Sequence, residues 1–188
     1  AARDAGLTGF EFLEGIPGCL GGALRMNAGA MGSATFDIVE RVRFMTRDGQ
    51  IEEWQSEDMG ATYRNCSTLK NKIALGAVLR GMPADPETVR TSMEDFRKCR
   101  TTSQPSASSA GCMFKNPTEK PAGKLVDECG LKGMSVGGAS VSKDHGNFFV
   151  NDGSATAEDM IQLLNQVRER VRETCGVDLA PEVQIVGE

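Results

Sequence analysis

Cys112 stands in Ser109-Ala-Gly-Cys-Met-Phe-Lys-Asn-Pro117, where small residues lead into a thiol. Ser109, Ala110 and Gly111 permit a close backbone turn, Phe114 can anchor the segment in a core, and Pro117 closes it. Lys115 and Asn116 add polar contacts beside the thiol. A segment of this kind presents an exposed catalytic group; it can equally be a Ser/Gly-rich surface loop ending in a short strand. A second unusual stretch covers residues 9–32 and holds seven glycines in 24 residues. That density suits neither a regular helix nor a strand. It suits backbone that must pass close to other backbone or to a flat ligand.

The elements around these stretches are legible in part. Ala1 to Gly6 reads as a helix end with a glycine stop. Val39 to Thr46 alternates, Asp48-Gly49 signals a two-residue turn, and Gln50 to Gln55 returns, which together predict a hairpin. Ile73 to Leu79 reads as a short buried strand. Met82-Pro83-Ala84-Asp85-Pro86 punctuates the chain and suggests a boundary, giving segments 1–82 and 83–188. Beyond it, Glu87 to Arg100 has Val89, Met93 and Phe96 at helical spacing. Ala122 to Cys129 predicts a short helix stopped by Gly130, and strands are expected over 112–114, 135–142, 147–150 and 182–186. The strongest helix signal is Thr156 to Thr174. It has Ser154 or Thr156 as cap, an acidic first turn in Glu158-Asp159, and Met160, Leu163, Leu164, Val167 and Val171 as its apolar stripe. The fold class expected is α+β: the sheet-rich end of one domain, followed by an α+β unit.

Composition narrows the function classes. The 188 residues carry 21 basic and 26 acidic side chains, a net charge of −5, with no basic cluster. Nucleic acid and anionic membrane are therefore poor partner expectations. No apolar run approaches the ~18 residues that span a bilayer, and no apolar signal core follows a charged N-terminus, so a cytoplasmic location is expected. Cys19, Cys66, Cys99, Cys112, Cys129 and Cys175 form no C-x-x-C pair, and His145 is the sole histidine. No metal site is expected, and the cysteines read as reduced thiols, mostly small buried fillers.

Taken in order, the motifs resemble one family. They include Gly15-Ile-Pro-Gly-x-x-Gly-Gly-Ala23, Asn27-Ala-Gly-Ala30, Tyr63-Arg64, Ser109-Ala-Gly-x-x-Phe-Lys-Asn-Pro117 and Ala122-Gly-Lys-Leu125. Gly130-Leu-Lys-Gly133, Gly137-Gly-Ala139, Asn147-Phe148, Asn151 and Pro181-Glu-Val183 continue the series. The chain resembles the UDP-N-acetylenolpyruvoylglucosamine reductases, flavoenzymes of peptidoglycan precursor synthesis, and among them the shorter type. The resemblance implies FAD in the C-terminal part of a vanillyl-alcohol-oxidase-like domain (PCMH type), then an α+β substrate-binding domain. It implies NADPH as reductant and UDP-N-acetylglucosamine enolpyruvate as substrate. Hydride passes from flavin N5 to the enolpyruvyl C3, and a side chain protonates C2. A monomer is expected.

The same resemblance assigns roles. Arg64 matches a catalytic arginine whose planar guanidinium suits the substrate carboxylate. Glu182 matches a catalytic glutamate that helps stabilise the enol-like intermediate; a protonated or hydrogen-bonded carboxyl can do this, whereas a bare carboxylate repels the developing charge. Cys112 occupies the position where most members carry a proton-donating serine. A thiol with a pKa near ~8.5 is mostly protonated at neutral pH and is a better acid than a hydroxyl, so cysteine can fill the role. Gly15, Ile16, Pro17, Gly18, Gly21, Gly22, Asn27 and Gly29 would hold the flavin, and Tyr63, Lys115 and Asn116 would contact the substrate. Arg100 or Lys98 would serve the nucleotide phosphates, and His145 reads as a turn residue. Arg64, Cys112 and Glu182 are expected around one double bond.

Family members carry a further N-terminal portion with a Gly-rich phosphate loop. The expectation is therefore a fragment or a truncated product, binding FAD weakly and having little activity alone. The alternative is a non-catalytic UDP-sugar-binding remnant.

Overall fold

Val39–Met45 forms the centre of a three-stranded antiparallel sheet, with Ile51–Gln55 on one side and Ile73–Leu79 on the other. The hairpin forms as expected, but through a three-residue loop, Arg47-Asp48-Gly49: the Thr46 amide donates to the Gln50 carbonyl at 2.9 Å, and Gly49 takes φ +84°. Val39, Val42 and Phe44 point into a core closed by Leu24, Met59, Cys66 and Leu69. Trp54, the chain's one tryptophan, meets the edge of Phe44 at 5.3 Å between centroids. The Lys72 ammonium lies 4.2 Å from the Phe44 ring centre and 4.4 Å from that of Trp54, a cation–π pair of contacts.

The computed structural model describes residues 1–187. Two compact units emerge, Ala1–Arg100 and Thr101–Glu188. The division falls later than the expected 82/83 boundary. The punctuating segment is bound into the first unit: Leu7–Thr8 pairs antiparallel with Met82–Pro83, and the Ala84 amide donates to the Gly6 carbonyl at 2.8 Å. Helix α2, Pro86–Ser103, follows, and its Arg97 bonds Glu14 while Arg100 Nη1 donates to the Gly15 carbonyl at 3.3 Å.

Three expectations fail within the first unit. The Ile73–Leu79 strand is not buried, since Ile73, Leu75 and Val78 are exposed. Ala1 to Gly6 contains only a single 3-10 turn, Arg3–Ala5, ended by Gly6 at φ +63°. The glycine-rich stretch does form a helix, α1, Leu20–Met26, despite Gly21 and Gly22. It is seven residues long and is held by tertiary packing of the buried Leu24, which outweighs the roughly 1 kcal/mol that each glycine costs.

In the second unit a four-stranded antiparallel sheet runs Ser109–Cys112, Phe148–Asn151, Ala139–Val141, Ser135–Val136 in spatial order. The expected strand over 135–142 is broken into a hairpin at Gly137-Gly138, because a Cβ at Gly137 would lie 2.4 Å from the Asp159 carboxylate and Gly137 has φ +52°. Helices α3, Ala122–Glu128, and α4, Ala157–Cys175, contribute to a core of Phe114, Leu125, Val126, Val141, Phe149, Leu163, Val167 and Val171. Each such side chain contributes about 1.5–3 kcal/mol by leaving water. Thr156 caps α4: its Oγ1 accepts from the Asp159 amide at 3.1 Å, and Asp159 returns a bond to the Thr156 amide at 2.8 Å. Gly176 at φ +70° ends it. The expected strand at 182–186 is absent. Only the bridge between Phe114 and Pro181 forms, after which Gln184 to Gly187 are exposed.

Candidate active site

In the first unit, the glycine-rich stretch surrounds a cavity of about 460 Å³. Its lining is largely apolar and includes Leu13, Ile16, Pro17, Gly18, Gly22 and Ala23. A Cβ built at Gly18, Gly21 or Gly22 would meet nothing within 4 Å, so the missing side chains leave open space here. An apolar ring fits such a recess. Of the residues expected to hold a cofactor, Ile16, Pro17, Gly18 and Gly22 line it.

The others have different surroundings. Gly15 lies against the Arg100 side chain, 3.2 Å from a Cβ to Arg100 Cδ. Asn27 ends α1 at φ +41°; its Nδ2 donates to the Thr62 carbonyl at 3.1 Å, and its Oδ1 accepts from the Phe36 amide at 3.0 Å. Arg64 Nη2 donates to the Gly29 carbonyl at 3.0 Å. Asn27-Ala-Gly-Ala30 is thus stitched twice to the loop that carries Tyr63 and Arg64.

That loop is a two-residue turn. Thr62 pairs with Asn65 and Ala61 with Cys66, leaving Tyr63 and Arg64 at the tip. Arg64 takes φ +52°, a conformation usually left to glycine or asparagine. Its guanidinium carbon is 4.9 Å from the centre of the half-exposed Tyr63 ring. A non-glycine residue held there is a reason to look for function.

The second unit presents Cys112 by a bulge. Ser109 pairs with Val150 and Cys112 with Phe148, so three steps on one strand oppose two on the other. Gly111 at φ +80° absorbs the extra residue and re-aims the thiol, which is half-buried. Next to it, the Met113 carbonyl accepts from the Glu182 amide at 2.8 Å, and the Lys115 amide donates to the Ala180 carbonyl at 2.8 Å. Cys112 and Glu182, distant in sequence, therefore sit on neighbouring paired segments.

Asn147, part of the Asn147-Phe148 motif but given no role by the sequence, holds this arrangement. It is buried at 1% exposure, and its side chain bonds both the amide and the carbonyl of Phe114. Asn116, expected to touch substrate, uses Oδ1 to accept from the Ala122 amide at 3.0 Å and so caps α3. His145 lies in a turn: its Nδ1 accepts from the Asn147 amide at 3.1 Å, and its ring meets Phe148 at 4.8 Å. Burial, and after it the Lys132 charge, hold its pKa below the ordinary value. A second recess of about 280 Å³ is lined by Ser106, Ser140, Ser142, Lys143 and Asp144, among others.

Comparison with known proteins places both units. Residues 104–186 match the model of the UDP-N-acetylenolpyruvoylglucosamine reductase C-terminal domain. Residues 1–55 match the model of an FAD binding domain. The reductase of Desulfosudis oleivorans is 44% identical over 196 residues, covering 100% of this chain. Over its whole length the chain is similar to UDP-N-acetylenolpyruvoylglucosamine reductases.

The reductase of Methylorubrum extorquens is 43% identical over 188 residues. The crystal structure of the UDP-N-acetylenolpyruvylglucosamine reductase from Thermus caldophilus matches 97% of the chain with a TM-score of 0.87 at 38% identity. The chain spans 63% of the length of the Desulfosudis reductase, 61% of the Methylorubrum one and 66% of the Thermus one. The α+β class and the order of a flavin-type domain followed by the reductase C-terminal domain stand as expected. Among the described residues no helix is long and apolar enough to cross a membrane.

Proposed function

We propose that this chain carries the substrate-handling and proton-donating part of an FAD-dependent oxidoreductase. It reduces UDP-N-acetylglucosamine enolpyruvate to UDP-N-acetylmuramate, a peptidoglycan precursor, with NADPH as reductant. The observation that supports this most is the backbone bond from Glu182 to Met113, the residue next to the bulge-presented Cys112. The resemblance to the reductases supplies the chemistry these residues would serve.

The cavity at α1 fits the ring of FAD, with Ile16, Pro17, Gly18 and Gly22 as its wall. FAD, when bound and reduced, supplies a hydride. The residues of this chain do the rest. Addition to a double bond conjugated with a carboxylate pushes negative charge onto that carboxylate. Arg64 offsets it with a guanidinium whose backbone is locked in a tight turn; fixed donors of this type are worth roughly 10²–10³ in rate. Glu182, on the segment bonded to Met113, helps steady the enol-like form. Cys112 keeps its proton on sulfur until the neighbouring carbon needs it, then delivers it; a positioned acid contributes about 10²–10⁴. Lys115 and Tyr63 contact the substrate.

The test is NADPH oxidation in the presence of FAD and the enolpyruvyl substrate, using this chain and a version extended to the relatives' length. Substrate-dependent turnover by either supports the reading. Binding of the substrate by calorimetry with no turnover at either length would leave only a UDP-sugar-binding protein.

A further inference from the structure

The sulfurs of Cys129 and Cys175 lie 3.4 Å apart, though 46 residues separate them in sequence. Cys129 is the residue that ends α3, and Cys175 is the last residue of α4. Both side chains stand at helix termini, where the last turn frays and can adjust. Closing 3.4 Å to a bond of about 2.05 Å needs a shift of roughly an ångström, within reach of a side-chain rotation. Cys175 is exposed and open to small reagents, whereas Cys129 is half-buried behind it. Lys120, ion-paired to Glu128 at 2.7 Å, interacts electrostatically with the Cys175 sulfur and places a cation near it.

We propose that Cys129 and Cys175 form a reversible, peroxide-responsive disulfide that ties the end of α3 to the end of α4. This does not depend on the catalytic reading. The Cys175 thiolate attacks one oxygen of hydrogen peroxide, the O–O bond breaks, and a sulfenic acid and water result. The Cys129 sulfur then attacks the sulfenic sulfur, forming S–S and expelling a second water. Two thiols and one peroxide become one disulfide and two waters: the sulfurs lose two electrons and the peroxide oxygens gain them. Burial, and next the Cys175 sulfur, hold the Cys129 thiol above its ordinary pKa, so the exposed Cys175 is the one that meets peroxide first. A dithiol reductant reverses the bond.

The experiment treats the whole chain with a small excess of hydrogen peroxide, blocks remaining thiols with iodoacetamide, and maps peptides by mass spectrometry. The expected product is a linked pair of peptides holding Cys129 and Cys175, and an intact mass lower by about 2 Da that dithiothreitol restores. The oxidised protein should melt roughly 10 °C higher than the reduced one, since the bond closes a long loop. Cys175→Ser and Cys129→Ser should each abolish the link; Cys175→Ser, at an exposed position, serves alone if the other variant fails to fold. Separate alkylation of both cysteines after oxidation, their conversion to sulfinic or sulfonic acids, or links to Cys19 or Cys99 would each overturn the proposal.

Discussion

Asn147 and Phe114 hold each other through a closed pair of hydrogen bonds. The Phe114 amide donates to Asn147 Oδ1 at 2.9 Å, and Asn147 Nδ2 donates to the Phe114 carbonyl at 2.7 Å. The side chain thus replaces a missing strand neighbour for the residue between Met113, which pairs with Glu182, and Lys115, which pairs with Ala180. Removing it strands two backbone groups in a core where Phe114 has no exposure. We expect Asn147→Ala to cost about 2–6 kcal/mol, the sum of two unsatisfied buried groups, in urea unfolding followed by far-ultraviolet circular dichroism. Full stability in the variant would show that water replaces the clamp.

Arg64 separates chemistry from folding cleanly. Its φ of +52° is one that glycine adopts without strain. Arg64→Gly should therefore melt no lower than the parent, apart from the lost bond to Gly29, while turnover of the enolpyruvyl substrate falls by about 10² or more. A variant with parental kcat would remove the guanidinium from the mechanism.

Cys112 can be tested by the identity of the atom it carries. Cys112→Ser keeps a proton donor at the bulge and should retain turnover within roughly tenfold, whereas Cys112→Ala should lose about 10²–10⁴. The alanine variant should still let NADPH bleach bound flavin in stopped-flow absorbance, because that half-reaction does not use the thiol. Equal turnover of serine, alanine and parent proteins would clear Cys112 of any role.

His145 should make the second unit sensitive to mild acid. Burial keeps its folded pKa below the unfolded value near 6.5, so the unfolded chain binds the proton more readily. Its contribution is thus intact above pH 6.5 and is lost progressively as the pH falls below that value, until the folded form also protonates. His145→Asn keeps an acceptor for the Asn147 amide but cannot titrate in this window. The variant should flatten the dependence of stability on pH between about 7 and 5. An unchanged slope would assign the acid sensitivity to other groups.

Local signals made some of this fold readable in advance and left other parts dark. The 39–55 hairpin was legible because Asp48-Gly49 fixes its turn, and α4 because cap, stripe and stop agree. Helix α1 was not, since its two glycines argue against helix and only the packing of Leu24 reverses that balance. Residues 182–186 alternate like a strand, but no strand forms past the bridge at Pro181 and the Glu182 bond to Met113. At the candidate site, motif order pointed to Arg64, Cys112 and Glu182. Nothing local indicated that Asn116 caps α3, or that Asn27 and Gly29 bind the Tyr63-Arg64 loop; those are long-range partnerships that no short window contains.

The Trp54 cluster has an optical corollary. The chain's only tryptophan and only tyrosine, Trp54 and Tyr63, both belong to the Ala1–Arg100 unit, so phenylalanine is the sole aromatic of this kind in the other. Fluorescence excited at tryptophan wavelengths is then a private reporter of the first unit, dimming or shifting as Phe44 and Lys72 leave the indole. Melting of α4 would be silent in that channel and visible in the helical dichroism, so midpoints that differ between the two signals would reveal units that unfold one at a time.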